Sequence, residues 1–173
     1  MRTRMVAVPG LLLVLAASTA YAQLEFKTYA SAAGRYKVLF PGAVKTEVIP
    51  VKTEKAELKV TVESVELRAG TSFLVTFVDA PDDIAKQEAK PRLDKVRDGN
   101  KGLDGKVTED KELTVGTEKY PARDVLIEKA GGFLRNRIVI VGPRVYQVMV
   151  QGPKDVVTSA SADKFLESFE VTK

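Results

Sequence analysis

The 173-residue sequence contains no cysteine, no histidine and no tryptophan. Without cysteine there is no disulfide, no thiolate nucleophile and no thiolate zinc site, and a lipoprotein anchor has no residue to attach to. Without histidine, Ser-His-Asp and Cys-His catalysis, imidazole metal ligation and an imidazole pH switch are excluded. Glycine-rich phosphate fingerprints are missing, and no local motif singles out a Ser-Lys pair. The chain is therefore expected to be no enzyme, with no cofactor and no metal. A strong excess of one charge is lacking too: 27 basic residues face 23 acidic ones. Clustered basic footprints mark nucleic-acid binding, so a nucleic-acid partner is not expected.

Long apolar runs are scarce, and the clearest one opens the chain. Arg2 and Arg4 precede an apolar stretch from Val6 to Ala17, and Ala20-Tyr21-Ala22 forms an A-x-A cleavage pattern before Gln23. The run is short for a membrane span, which needs about 20 residues. Residues 1–22 are expected to be a cleaved signal peptide. The protein is then exported, periplasmic or secreted, with no integral membrane segment after cleavage. Residues 23–173 (173 − 22 = 151 residues) match the size of one domain that needs no staple.

What the sequence has in plenty is period-two alternation. From Tyr120 to Gln151 it reads as three strands joined at Lys129-Ala130-Gly131-Gly132 and Gly142-Pro143-Arg144, both turn signals. Leu134, Ile138, Ile140, Tyr146, Val148 and Val150 are expected on the core face. Phe133, Arg135, Arg137, Val139, Val141, Val145 and Met149 are expected opposite, half covered. Within that second set, Val139, Val141, Val145 and Met149, with Arg135 and Arg137, form the candidate interaction face. Two arginines on one strand face also suit plain solvated charge.

Upstream, Gly34 to Phe40 reads as a first strand, after a lead-in with Phe26 and Tyr29 as packing anchors. Val44 to Val51 reads as an edge strand, because it holds Pro50, with Lys45, Lys52 and Lys55 along it. Leu58, Val60 and Val62 give way to Val65 and Leu67, a phase slip that a β-bulge near Glu63-Ser64 would produce. Phe73 to Val78 is apolar on both faces and reads as a central strand; Lys106 to Val115 is another strand.

Two segments carry helical spacing. Ile84, Ala85, Ala89, Leu93 and Val96 form one stripe, which Pro91 kinks or restarts. Ala162, Phe165, Leu166 and Phe169 form another, with Ser161 as the expected N-cap. Between them, Asp98 to Gly105 reads as a glycine-rich loop. Its acidic spacing imitates a calcium loop, but Leu103 stands where the sharp turn needs glycine, so no cation is expected.

The segments GRYKVLFPG, KYPARD, GGFLRNRIVIV, VYQVMVQGPK and ADKFLESFEV together resemble the PsbP/DcrB-like group, which includes the Mog-type fold. The resemblance runs from about Gly34 to the end. It implies an α+β fold: a single-domain α/β/α sandwich in which an antiparallel sheet is flanked by helices. Members of that group support photosystem II, act in phage adsorption or serve nuclear transport, and they share protein binding without catalysis. The resemblance thus implies an accessory or interaction module whose partner is another envelope or secreted protein. The alternative is a carrier of a small apolar ligand between helix and sheet, in a pocket lined by Phe73, Phe77, Tyr146 and Phe165.

Overall fold

The computed structural model describes residues 24–53, 57–68 and 70–173. The expected signal peptide, Lys55 and Ala69 lie outside the described residues. In chain order the elements are β1 (Lys27–Ser31), β2 (Tyr36–Phe40), β3 (Lys45–Lys52), β4 (Glu57–Glu66), β5 (Ser72–Asp79), α1 (Asp82–Ala85), α2 (Ala89–Lys101), β6 (Lys106–Val115), β7 (Tyr120–Lys129), β8 (Gly132–Val141), β9 (Arg144–Gly152), α3 (Lys154–Val157), α4 (Ala160–Glu167) and β10 (Glu170–Val171). Seven strands form one antiparallel sheet in the order β3-β4-β5-β9-β8-β7-β6, and β1-β2-β10 form a second, smaller sheet. After β5 the chain crosses by α1 and α2 to the far edge, then returns strand by strand until β9 pairs with β5. The expected α+β architecture, an antiparallel sheet flanked by helices, is the architecture observed.

The main sheet buries an apolar cluster on each face. On one side Phe73, Val75, Phe77, Val139, Tyr146, Val148 and Val150 pack against the inner residues of β2 and α4. On the other, Val125, Ile127, Leu134, Ile138, Ile140, Val145 and Met149 pack against Leu93 of α2. This divides the expected core face between two cores. The two-residue turn at Gly142-Pro143 pairs Val141 with Arg144 and Ile140 with Val145. Even-numbered residues of β8 therefore share a face with odd-numbered residues of β9. Leu134, Ile138 and Ile140 consequently face α2, while Tyr146, Val148 and Val150 face α4. Alternation within a strand gives its two sides, but only the turn length relates one strand's sides to the next.

Other expectations need correction. No bulge occurs at Glu63-Ser64, because β4 pairs in continuous register with both neighbours; the register shift lies instead in β6, between Val107 and Glu109. The lead-in around Tyr29 is strand β1. Helix α2 runs through Asp98 and Asn100, so these two belong to a helix and the calcium-like spacing does not form a loop. Pro91 falls in the first turn of α2, where its missing N–H costs nothing. Ser159, rather than Ser161, caps α4, its Oγ accepting from the Ala162 N–H at 3.2 Å. Pro50 does lie in an edge strand, and β5 does sit in the middle of its sheet.

Candidate functional site

The six residues expected to form an interaction face do not form one. Val139, Val141, Arg135 and Arg137 point to the α4 side, and Val145 and Met149 to the α2 side. Val139, Val145 and Met149 are buried. The arginines fasten α4 to the sheet. Arg137 grips the Asp124 carboxylate with Nε and Nη2, both at 2.7 Å, and donates Nη1 to the Leu166 carbonyl at 2.9 Å. Arg135 donates to Asp163 at 2.6 Å. A two-pronged arginine–carboxylate pair fixes geometry as well as charge.

The interior expected to hold an apolar ligand is filled by its own side chains. Phe165 meets Phe73 edge-on with ring centroids 5.3 Å apart, and Tyr146 meets Phe169 at the same distance. All four of Phe73, Phe77, Tyr146 and Phe165 are buried in one continuous cluster. Such contacts lie in the range of ordinary aromatic packing, so the space between these rings is a filled core; Phe73 alone of the four also reaches the edge of a surface cleft.

Two buried charged residues, Glu63 and Arg123, each centre a polar cluster, one on either face of the main sheet. Glu63, 3% exposed on the α4 side of β4, accepts hydrogen bonds from the hydroxyls of Tyr29 at 2.8 Å, Ser31 at 3.0 Å and Tyr36. This acid ties the small sheet to the main one, and it occupies the position that reads as a phase slip in the sequence. Arg123, on β7, contacts Asp94 of α2 together with Asp110 and Glu112 of β6. Among the described residues no group of three acidic side chains is placed to hold a metal ion.

The tyrosines give the fold an alkaline limit. Burial, then the adjoining Glu63 carboxylate, pushes the Tyr36 and Tyr29 hydroxyls above their ordinary range; burial does the same for Tyr146. A raised folded value favours the protonated form in the fold. That contribution is complete below the unfolded tyrosine value of about 10 and is lost as pH rises above it. The urea midpoint should therefore hold steady up to about pH 10 and fall beyond, with a shallower fall in Tyr36→Phe. An alkaline limb identical in wild type and variant would remove Tyr36 as its source.

Three of the exposed large apolar side chains among the described residues, Val48, Ile49 and Val51, lie on the β3–β4 ribbon. Beyond Thr61, β4 has only β3 beside it, because the pairing with β5 stops at Thr61–Phe77. Ile49 opposes Val60 and Val51 opposes Leu58, so these four share one side, the side of α2. Helix α2 packs over β7 and β8 and leaves this end uncovered. Ile49 is 41% and Val51 40% exposed, with Leu58, Val60 and Val62 half-buried beside them. Sequence reasoning marks Val44 to Val51 as an edge but misses this patch. The signal was available: β3 and β4 both alternate, and a hairpin register places their apolar positions together.

No protein-family model and no curated protein matches the sequence. Solved structures do match the fold. The solution structure of cyanobacterial PsbP (CyanoP) from Synechocystis sp. PCC 6803 superposes with a TM-score of 0.57, covering 91% of this chain and 98% of that one at 11% identity. The chain has a PsbP-like fold. A crystal structure of PA94, a protein of unknown function from Pseudomonas aeruginosa, matches over 67% of this chain and 90% of that one, with a TM-score of 0.42 and 10% identity. In the PsbP-like fold of this protein the two faces of the sheet are covered unequally, and the β3–β4 end is the bare one. No helix among the described residues is long and apolar enough to cross a membrane.

Proposed function

We propose that this protein is an exported, non-enzymatic accessory module that docks another envelope or secreted protein on the α2 side of the β3–β4 ribbon. The observation that carries the reading is the exposure of Ile49 and Val51 beside Leu58, Val60 and Val62 on the α2 side, where five apolar side chains adjoin, whereas Val48 is exposed singly on the other side. A contiguous apolar face of this kind is what protein interfaces cover. Docking uses the face and not the strand edge. Pro50 removes a ladder donor from β3, and Lys45 and Lys52 guard its ends, both of which discourage strand addition. The signal-peptide pattern of residues 1–22 and the lack of histidine and cysteine agree with an exported, non-catalytic role.

Native mass spectrometry of the protein gently recovered from its own envelope tests this. A partner at fixed stoichiometry is expected, reduced at least ten-fold in Ile49→Lys/Val51→Lys. A control charge reversal on the opposite edge, Lys111→Glu, should retain it. An equal yield of the same partner from the ribbon variant, or a bare wild-type chain, overturns the reading.

A further inference from the structure

A second surface, separate from the ribbon, is built differently. A cleft of about 870 Å³ opens where the start of the described chain, the β4–β5 connection and the α3–α4 corner meet. Its apolar wall is Leu24, Phe26, Leu67, Phe73 and Val156. Two cations stand at it. The Lys164 Nζ lies 4.8 Å from the Phe26 ring centroid, over the aromatic face. Arg68 lines the same cleft and has no side-chain hydrogen bond or ion pair among the described residues. The hydroxyl of Ser159 is already engaged, accepting from Ala162 N–H and donating to the Val156 carbonyl at 2.6 Å. Asp155 also lines the cleft, so the charged groups there sum to +1 (two cations less one carboxylate).

We propose that this cleft binds an aliphatic carboxylate, a single-chain fatty-acid anion. Its chain would lie along the apolar wall and its carboxylate would meet Arg68 and Lys164. Binding clefts of about 300–1,000 Å³ with a mainly apolar lining and few polar groups suit ligands of this size. An anion is selected because two cations, Arg68 and Lys164, stand at the wall against the single Asp155 carboxylate; Ser159 has no bond left to offer, and the hydroxyls of Thr71 and Ser161 add neutral donors that an anion can also use. A cation held over an aromatic ring keeps part of its charge directed at the apolar space, where a carboxylate gains more than it would in water.

Isothermal titration of the full protein with laurate, below its micelle concentration, tests the proposal. One saturable site is expected. Arg68→Glu/Lys164→Glu should weaken laurate at least ten-fold while keeping the wild-type circular dichroism, and Val156→Trp should fill the cleft and abolish binding. Dodecanol should bind at least ten-fold more weakly than laurate to the wild type and lose nothing further in the charge variant. Ile49→Lys/Val51→Lys should bind laurate like wild type, which separates this site from the ribbon. Binding of anionic phospholipid vesicles without binding of free laurate would make the cleft a membrane contact and overturn the proposal. So would laurate bound equally by wild type and Val156→Trp, or by wild type and the charge variant.

Discussion

Replacing Phe165 by alanine is expected to lower the unfolding free energy by about 3–5 kcal/mol, the usual cost of removing a buried phenylalanine and leaving a cavity. Phe165 is fully buried, with its ring centroid 5.1 Å from that of Phe40 and 5.3 Å from that of Phe73. One side chain thus joins three elements: α4, β2 of the small sheet and β5 of the main sheet. Its neighbours are held by hydrogen-bonded strands and cannot collapse far into the space, so the cost belongs toward the upper part of that range. For a domain with a total stability of about 5–15 kcal/mol, such a loss is a large fraction. Urea unfolding followed by circular dichroism checks it. The midpoint should fall while the slope stays constant, and Phe165→Leu should lose less. A loss below about 1 kcal/mol would mean that the helix and the sheets do not share one core.

The same residue shows what can be read from sequence. Ala162, Phe165, Leu166 and Phe169 fall on one helical face by spacing alone, and all four are buried. Strands β8 and β9 are equally plain, because each runs for nine or ten β-prone residues between glycine-containing turns. Their relation in space is not plain. Whether Tyr146 joins Ile138 or Val139 depends on whether the turn holds an even or an odd number of residues. A GPR sequence does not reveal which of its residues lies in the turn and which begins the next strand. That single step decides the side of Val145 and Met149, and without it the alternation implies one mixed face where the fold has two cores.

Function was harder to read for a related reason. A docking face is defined by what fails to cover it. The alternation of Ile49 and Val51 is visible in the sequence, whereas the reach of α2 over β7 and β8, and not over β3 and β4, is a tertiary fact. The arginine pair failed in the opposite sense. Arg135 and Arg137 look available in sequence, yet Asp163, Asp124 and the Leu166 carbonyl, between 13 and 29 positions away, take up their donors. The cleft beside Lys164 joins residues from the start, middle and end of the described chain, and no local pattern announces it.

Replacing Glu63 by leucine should cost about 2–6 kcal/mol, because two buried donors lose their acceptor at roughly 1–3 kcal/mol each. The donors are the hydroxyls of Ser31 and Tyr36; the part-buried Tyr29 can turn to water. The cost should be coupled. Adding Tyr36→Phe to Glu63→Leu removes a stranded hydroxyl, so the double variant should lose at least about 1 kcal/mol less than the sum of the singles. Strict additivity would mean that Glu63 and Tyr36 do not act as one unit. The effect should also be local. The small sheet hangs on this acid, and the Gly34 backbone beside it is packed so closely that a Cβ there would lie 2.6 Å from the Tyr36 ring. Amide exchange in Glu63→Leu should therefore accelerate in β1 and β2 before β7 to β9. Strand β4 carries Glu63 on one face and Leu58, Val60 and Val62 on the other. One face fastens the layer, and the other is left for a partner. If that division holds, Glu63→Leu should weaken the fold yet still capture the ribbon's partner wherever the main sheet remains folded. Loss of capture at those conditions would place the docking surface on the small sheet instead.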